Sequence, residues 1–194
     1  MDPSSCHGLL LNGGKSSRLG VDKGSQVVAG TPIASRVARA LCSVADPVLT
    51  VGRGAGPGLP VVSDDGQGPL AAFFKGGVEL DRRGCRGPIL LVACDLPFIT
   101  PELLSLVRDS LGTSDAALPV HDGFDQPLAA CYSPEAVRAA GELLSRGERS
   151  LKALIQAIRV ERILPEVWKA VAPADALFDI DTPEQLQAAR DKAS

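Results

Sequence analysis

Apolar residues along the chain alternate between short continuous runs and helical spacing. Leu9-Leu10-Leu11 ends abruptly at Asn12 and the glycine pair Gly13-Gly14, the pattern of a buried strand that turns sharply. Ile33, Val37, Leu41 and Val44 then recur at helical spacing, after Thr31 and Pro32, which supply cap and first-turn chemistry. Val48-Leu49-Thr50-Val51 reads as a second buried strand ended by the glycine-rich stretch 52–58, and Pro60-Val61-Val62 as a shorter one. Strand, helix, strand in that order predicts a right-handed crossover and a parallel sheet.

The alternation continues to the end of the chain. A polar loop at 64–68 precedes a helix predicted over 69–81, with proline in its first turn. The segment 88–94 is the most apolar strand candidate, long enough to sit centrally with both faces covered, and Asp95 follows it directly. Thr100-Pro101-Glu102 opens a helix whose Leu103, Leu104, Val107 and Leu111 share a face. A strand at 116–120 ends at the polar turn His121-Asp122-Gly123, and 127–132 reads as another. Val137, Gly141 and Leu144 mark one helix, and Leu151, Leu154, Ile155 and Ile158 a second beyond the charged turn 146–149. A final helix starts near Thr182. No repeat, linker or low-complexity tract divides the chain, so one domain over 1–194 is expected.

Composition narrows the class. At 194 residues, with 45% hydrophobic and 22% charged positions, the chain is an ordinary globular domain rather than a disordered or coiled-coil one. No apolar run approaches the roughly 20 residues that a bilayer requires, so no membrane association is expected. Met1-Asp2-Pro3-Ser4-Ser5 lacks the basic region of a secretory signal. The five cysteines are an odd number with no C-x-x-C pair, which suits reduced thiols and a cytoplasmic location. A sequence isoelectric point near 5.4 disfavours nucleic acid as a partner.

Charge departs from that average in one place. Lys15, Arg18 and Lys23 outweigh Asp22 in a glycine-rich loop, although the chain as a whole carries −3. Flexible backbone and local positive charge suit a phosphate-bearing ligand. Neither G-x-x-x-x-G-K-[ST] nor G-x-G-x-x-G fits the spacing, which excludes the two standard phosphate loops. In open parallel sheets ligands bind beyond the carboxyl ends of strands. The loop 13–23, the Asp64 loop, Asp95 and the His121 turn all fall at such ends, so one shared cleft is expected. A carboxylate fixed by an apolar strand suits Mg²⁺, which takes one or two carboxylates plus substrate phosphate oxygens; the structural alternative is that Asp95 caps the turn before Pro97. Arg18 and Lys23 would stabilise charge on a reacting triphosphate. Ser16 and Ser17 read as hydrogen bonders rather than nucleophiles, and His7 and His121 are too isolated for a histidine metal site.

The residue order from Leu11 to Lys23 resembles the L-A-G-G-x-S-x-R-x-G-x-D-K signature of the molybdenum cofactor guanylyltransferases. Gly68-Pro69-Leu70-Ala71, the Cys94-Asp95-Leu96-Pro97 strand end, His121-Asp122-Gly123, Gln126-Pro127, Gly147-Glu148-Arg149 and Asp179-Ile180-Asp181-Thr182-Pro183-Glu184 look like that family's later landmarks, in its order. The resemblance implies an α/β fold, a single-domain Rossmann-like three-layer sandwich of nucleotidyltransferase type with a mostly parallel sheet. It implies transfer of GMP from GTP to the terminal phosphate of molybdenum-bound molybdopterin, and transient contact with other proteins of cofactor biosynthesis. By the same resemblance Arg18, Lys23 and Asp95 are catalytic and Asp95 holds Mg²⁺. The nucleotide meets Leu11, Asn12, Gly13, Gly14, Lys23, Thr50, Asp64 and Asp95, while His121, Gln126, Arg149, Asp179 and Asp181 line the far, acceptor end. Asn12 departs from the family's usual alanine, whereas Gly13-Gly14 looks like the guanine-using branch, since related cytidylyltransferases usually have alanine and glycine there. Helix capping is the structural alternative for Asp181, and a surface ion pair for Arg149. Rival functional readings are a same-fold transferase using CTP or another phosphorylated acceptor, and a non-catalytic GTP-binding module.

Overall fold

The computed structural model describes residues 6–13, 23–52 and 57–193. β1 (His7–Asn12), buried along its whole length, lies between two parallel neighbours, β4 (Val48–Gly52) and β6 (Ile89–Ala93). β5 (Val61–Val62) extends the sheet in parallel beyond β4. On the other side β9 (Ala129–Tyr132) runs antiparallel to both β6 and β7 (Ala116–His121), and β10 (Val160–Ile163) forms the edge, parallel to β7. The order is β10-β7-β9-β6-β1-β4-β5. β8 (Phe124–Asp125) folds back on β7, and β2 (Val27–Val28) pairs with β3 (Thr31–Pro32) in a separate ribbon.

Successive side chains on a strand point to opposite faces, so the leucine run of β1 feeds two cores. Leu10 packs with α1 (Ile33–Cys42), α3 (Pro101–Asp109), α6 (Pro165–Trp168) and α7 (Pro183–Lys192) through Val37, Leu41, Leu103, Leu104, Trp168 and Leu186. Leu9 packs on the other side with α2 (Pro69–Arg82), α4 (Pro134–Ser145) and α5 (Leu151–Ala157) through Phe73, Ala140 and Leu154. Three layers result, with the expected mostly parallel sheet interrupted by β9 alone among the described strands of the main sheet's interior.

Several local expectations change, and Val44 and Ile158 fall just beyond the ends of α1 and α5. Thr31 does not cap α1: it pairs with Val28, Pro32 takes the cap position without a side-chain bond, and the first helical N–H of Ile33 donates to the Gln26 carbonyl at 2.8 Å. α3 stops at Asp109, so Leu111 joins the core from beyond the helix. The segment 160–179, for which no element was predicted, contributes β10 and α6. The sequence Val160-Glu161-Arg162-Ile163 is half polar because an edge strand faces water, which weakens its apolar signal. Trp168 is nevertheless fully buried, donating from Nε1 to the Val120 carbonyl at 2.9 Å. All five cysteines are free thiols, Cys42 exposed and the others buried. No helix of the described residues is long and apolar enough to cross a membrane.

Candidate active site

β1, β4, β5 and β6 run the same way, and β7, reversed twice through β9, runs with them, so their carboxyl ends share one edge. Strand order reverses at β1, the place where loops diverge and leave a crevice. Asn12 and Gly13, Asp64, Asp95 and His121 all leave that edge, as the strand-end argument expects.

Asp95 follows β6 by two residues, and backbone bonds hold it from both sides. Cys94 N–H donates to the Leu11 carbonyl at 3.0 Å, and Ile180 N–H donates to the Asp95 carbonyl at 3.1 Å. The second bond brings the end of the chain to the cleft. Lys23, in a single 3-10 turn (Lys23–Ser25), then reaches Asp95 with its Nζ 3.2 Å from Oδ2, and also bonds the Asp181 carboxylate. These partners lie 72 and 158 positions away in sequence. Asp181, an acceptor-end residue by the resemblance, bonds Lys23 here, because Ile180 is tied to the Asp95 backbone.

Two carboxylates share one ammonium, so the cluster keeps a net negative charge. Burial pushes the Asp95 carboxyl above the ordinary carboxylate range; the charge and hydrogen bond of Lys23 pull against it, and the nearby Asp179 adds to the rise. Burial also opposes the Lys23 ammonium, but the Asp181 hydrogen bond and the Asp95 charge outweigh it and lift Lys23 above the usual lysine value. Lys23 therefore stays cationic at neutral pH.

Asp181 owes its position to the cap of α7. Thr182 Oγ1 accepts from Gln185 N–H at 3.3 Å, while Gln185 Oε1 accepts from the N–H groups of both Thr182 at 2.9 Å and Asp181 at 2.7 Å. This reciprocal box fixes the backbone on which the carboxylate stands. Thr182→Ala is expected to cost about 1 kcal/mol, read as a lower urea midpoint with unchanged slope.

The remaining predicted positions divide. Asp64 is buried in the loop between β5 and α2. Thr50 is fully buried within β4 opposite Leu10 and Val61, short of the strand end, and its Oγ1 has no hydrogen-bond partner among the described residues. His121, half-buried, meets Trp168 edge-on at 5.7 Å between ring centroids. Gln126 donates from Nε2 to the Phe124 carbonyl at 3.2 Å. Arg149 is exposed and makes no ion pair among the described residues; its Nη1 donates to the Leu144 and Glu148 carbonyls, and its own carbonyl accepts from Leu70 N–H at the start of α2. Asp179 is exposed. Gly14 and Arg18 lie outside the described residues.

Sequence reasoning passed over two glycines that shape the site. A β-carbon on Gly52 would stand 2.2 Å from the Asn12 carbonyl oxygen, and one on Gly24 2.5 Å from Asn12 Oδ1. Each follows or ends a motif already noticed, so the available signal was a glycine opposite another glycine-rich strand end.

A lysine facing two carboxylates at the carboxyl edge of a mostly parallel sheet, near its switch point, stands where open α/β folds take their ligands. The chain belongs to the MobA-like NTP transferase domain family, whose model matches residues 8–163, and it is a nucleotidyltransferase. It is 34% identical over 190 residues to a protein of Pelotomaculum thermopropionicum described as "Probable molybdenum cofactor guanylyltransferase", covering 94% of this chain and 91% of that one. A protein of Chloroflexus aggregans with the same description is 32% identical, covering 93% and 91%. Among solved structures, the molybdopterin-guanine dinucleotide biosynthesis protein A of Archaeoglobus fulgidus superposes with a TM-score of 0.78 at 21% identity, covering 96% of this chain and 97% of that chain, and shares the fold.

Proposed function

We propose that the protein transfers GMP from GTP to the terminal phosphate of molybdenum-bound molybdopterin, releasing pyrophosphate. The observation that carries this reading is the meeting of Lys23, Asp95 and Asp181 at the carboxyl edge of the sheet, in a chain of this family. An oxygen of the acceptor phosphate attacks the α-phosphorus of GTP. The bond from that phosphorus to the bridging oxygen breaks, and its electron pair leaves with pyrophosphate. The acceptor brings its own nucleophile, so the protein has to align the groups and stabilise charge. Lys23, with Arg18, neutralises the phosphate oxygens as charge builds on them.

The donor set fits a hard divalent cation: oxygen ligands only, from Asp95 and Asp181, in a cluster with net negative charge. Mg²⁺ bound there supplies charge neutralisation at the phosphates. Asp64 and the backbone of Leu11, Asn12 and Gly13, with Thr50 beneath them, form the base end, where a carboxylate accepts the paired N1–H and N2–H₂ donors of guanine. His121, Gln126 and Arg149, with Asp179, belong to the acceptor end. The four buried thiols suit a reducing cytoplasm.

The test is to incubate purified protein with Mg²⁺ and molybdenum-loaded molybdopterin in parallel with GTP, CTP, ATP or UTP, following pyrophosphate and dinucleotide. Both products are expected with GTP alone. Products with CTP instead reassign the base, and folded protein that binds GTP without forming pyrophosphate is a binding module.

A further inference from the structure

We infer that the carboxamide of Asn12 is the spacer that sets the position of Lys23, making Asn12 a positioning residue for phosphate transfer. This rests on the reading of Lys23 as a phosphate-contacting group. Asn12, only 2% exposed, is the last residue of β1. Its Oδ1 lies so close to the buried Gly24 that a β-carbon there would approach within 2.5 Å, while the Ala34 β-carbon of α1 would be 3.1 Å away. Gly24 is thus held between a side chain of the sheet and a helix, and Lys23 is one residue back.

Backbone bonds also hold the turn, among them Gln26 N–H to the Lys23 carbonyl at 3.2 Å and Ile33 N–H to the Gln26 carbonyl at 2.8 Å. They tie it to α1, whereas the Asn12 carboxamide packs against it from β1. The neighbouring residue on β1, Leu11, holds Cys94 and through it Asp95. Two adjacent positions at one strand end therefore set both partners of the 3.2 Å contact between Lys23 and Asp95. Removing the carboxamide takes away the β1 side chain packed against Gly24, and the turn settles toward the strand. Lys23 then starts from a displaced backbone, and a misplacement of about 1 Å in an aligned site can cost about a hundredfold in rate.

The experiment measures single-turnover pyrophosphate release, with enzyme in excess, for Asn12→Ala, Lys23→Ala, Gly24→Ala and the doubles Asn12→Ala/Lys23→Ala and Asn12→Ala/Gly24→Ala. Asn12→Ala is expected to slow the step about tenfold, a fraction of that ceiling, with KM for GTP within about twofold because the base contacts use backbone. In the Lys23→Ala background the same change should have no further effect, the non-additivity of residues that act as a unit. Gly24→Ala should be harmful in the wild-type background and milder beside Asn12→Ala, whose missing carboxamide makes room for the new methyl. Asn12→Ser, a smaller cut with the same expected direction, serves if the alanine variant unfolds. Effects of Asn12 and Lys23 that multiply in full, or Gly24→Ala equally harmful in both backgrounds, overturn the inference. Lys23→Ala that leaves the rate unchanged overturns the reading of Lys23 itself, a separate outcome.

Discussion

Replacing Asp95 with asparagine is expected to lower guanylyl transfer by about a hundred- to a thousandfold, the usual loss for one preorganised charge contact, while the fold stays intact. The amide keeps the shape of the carboxylate but holds a divalent cation more weakly and faces Lys23 without charge. Stability should move the other way, and the sign follows from the direction of the pKa. Burial raises the carboxyl in the folded chain, with Lys23 only partly offsetting it. Between the unfolded value of about 3.9 and the higher folded one the native state binds more protons, so stability falls as pH rises through that window. Above that window the wild type carries this cost and the asparagine variant does not. Lys23 keeps a carboxylate partner in Asp181. Scanning calorimetry should therefore give a Tm equal to or above the wild-type value, with a weaker pH dependence on the acid side. A variant that loses activity because it unfolds would contradict the assignment of Asp95 to chemistry rather than to structure.

Gly52→Ala should do the reverse, damaging the fold before the chemistry. Gly52 ends β4 beside Asn12, with φ of 144°, in a region that side chains disfavour. An added β-carbon would lie 2.2 Å from the Asn12 carbonyl oxygen, 2.5 Å from its carbon and 2.9 Å from the Gly13 nitrogen, all backbone atoms that cannot rotate away. Backbone strain of about 1–3 kcal/mol and overpacking of about 1–3 kcal/mol act together. For a chain of this size that corresponds to a Tm lower by about 10 °C. β1 and β4 are forced apart where Asn12 and Gly13 enter the cleft, so the activity that remains should show a raised KM for GTP. A Tm within a degree or two of wild type would mean that the two strand ends separate without cost.

The difference between these two positions also marks how far the sequence is legible. Asp95 was conspicuous because seven apolar positions run directly into it, and only a central strand covered on both faces explains such a run. The helices at α2, α3 and α7 were legible for a related reason: Pro69, Pro101 and Pro183 each occupy a first helical turn, and Thr100 and Thr182 cap the latter two. Gly52 looked like the first of several glycines in a loop, since its constraint lies in a carbonyl of another strand. Asp181 posed a similar difficulty. Its capping context was plain, but its contact with Lys23 depends on the bond between Ile180 and Asp95, and such long-range pairing leaves no local trace. β10 and α6 escaped for want of periodicity, although Trp168, the chain's single tryptophan, was a cue that something must bury it.

A crystal structure of the protein with GTP and Mg²⁺ tests the shared grip of Lys23 and the acidic pair on one nucleotide most directly. The expected density places the metal on Asp95 and Asp181 and the triphosphate against Lys23, with the guanine edge toward Asp64. Nucleotide bound elsewhere, with Lys23 still paired to both carboxylates, would contradict it.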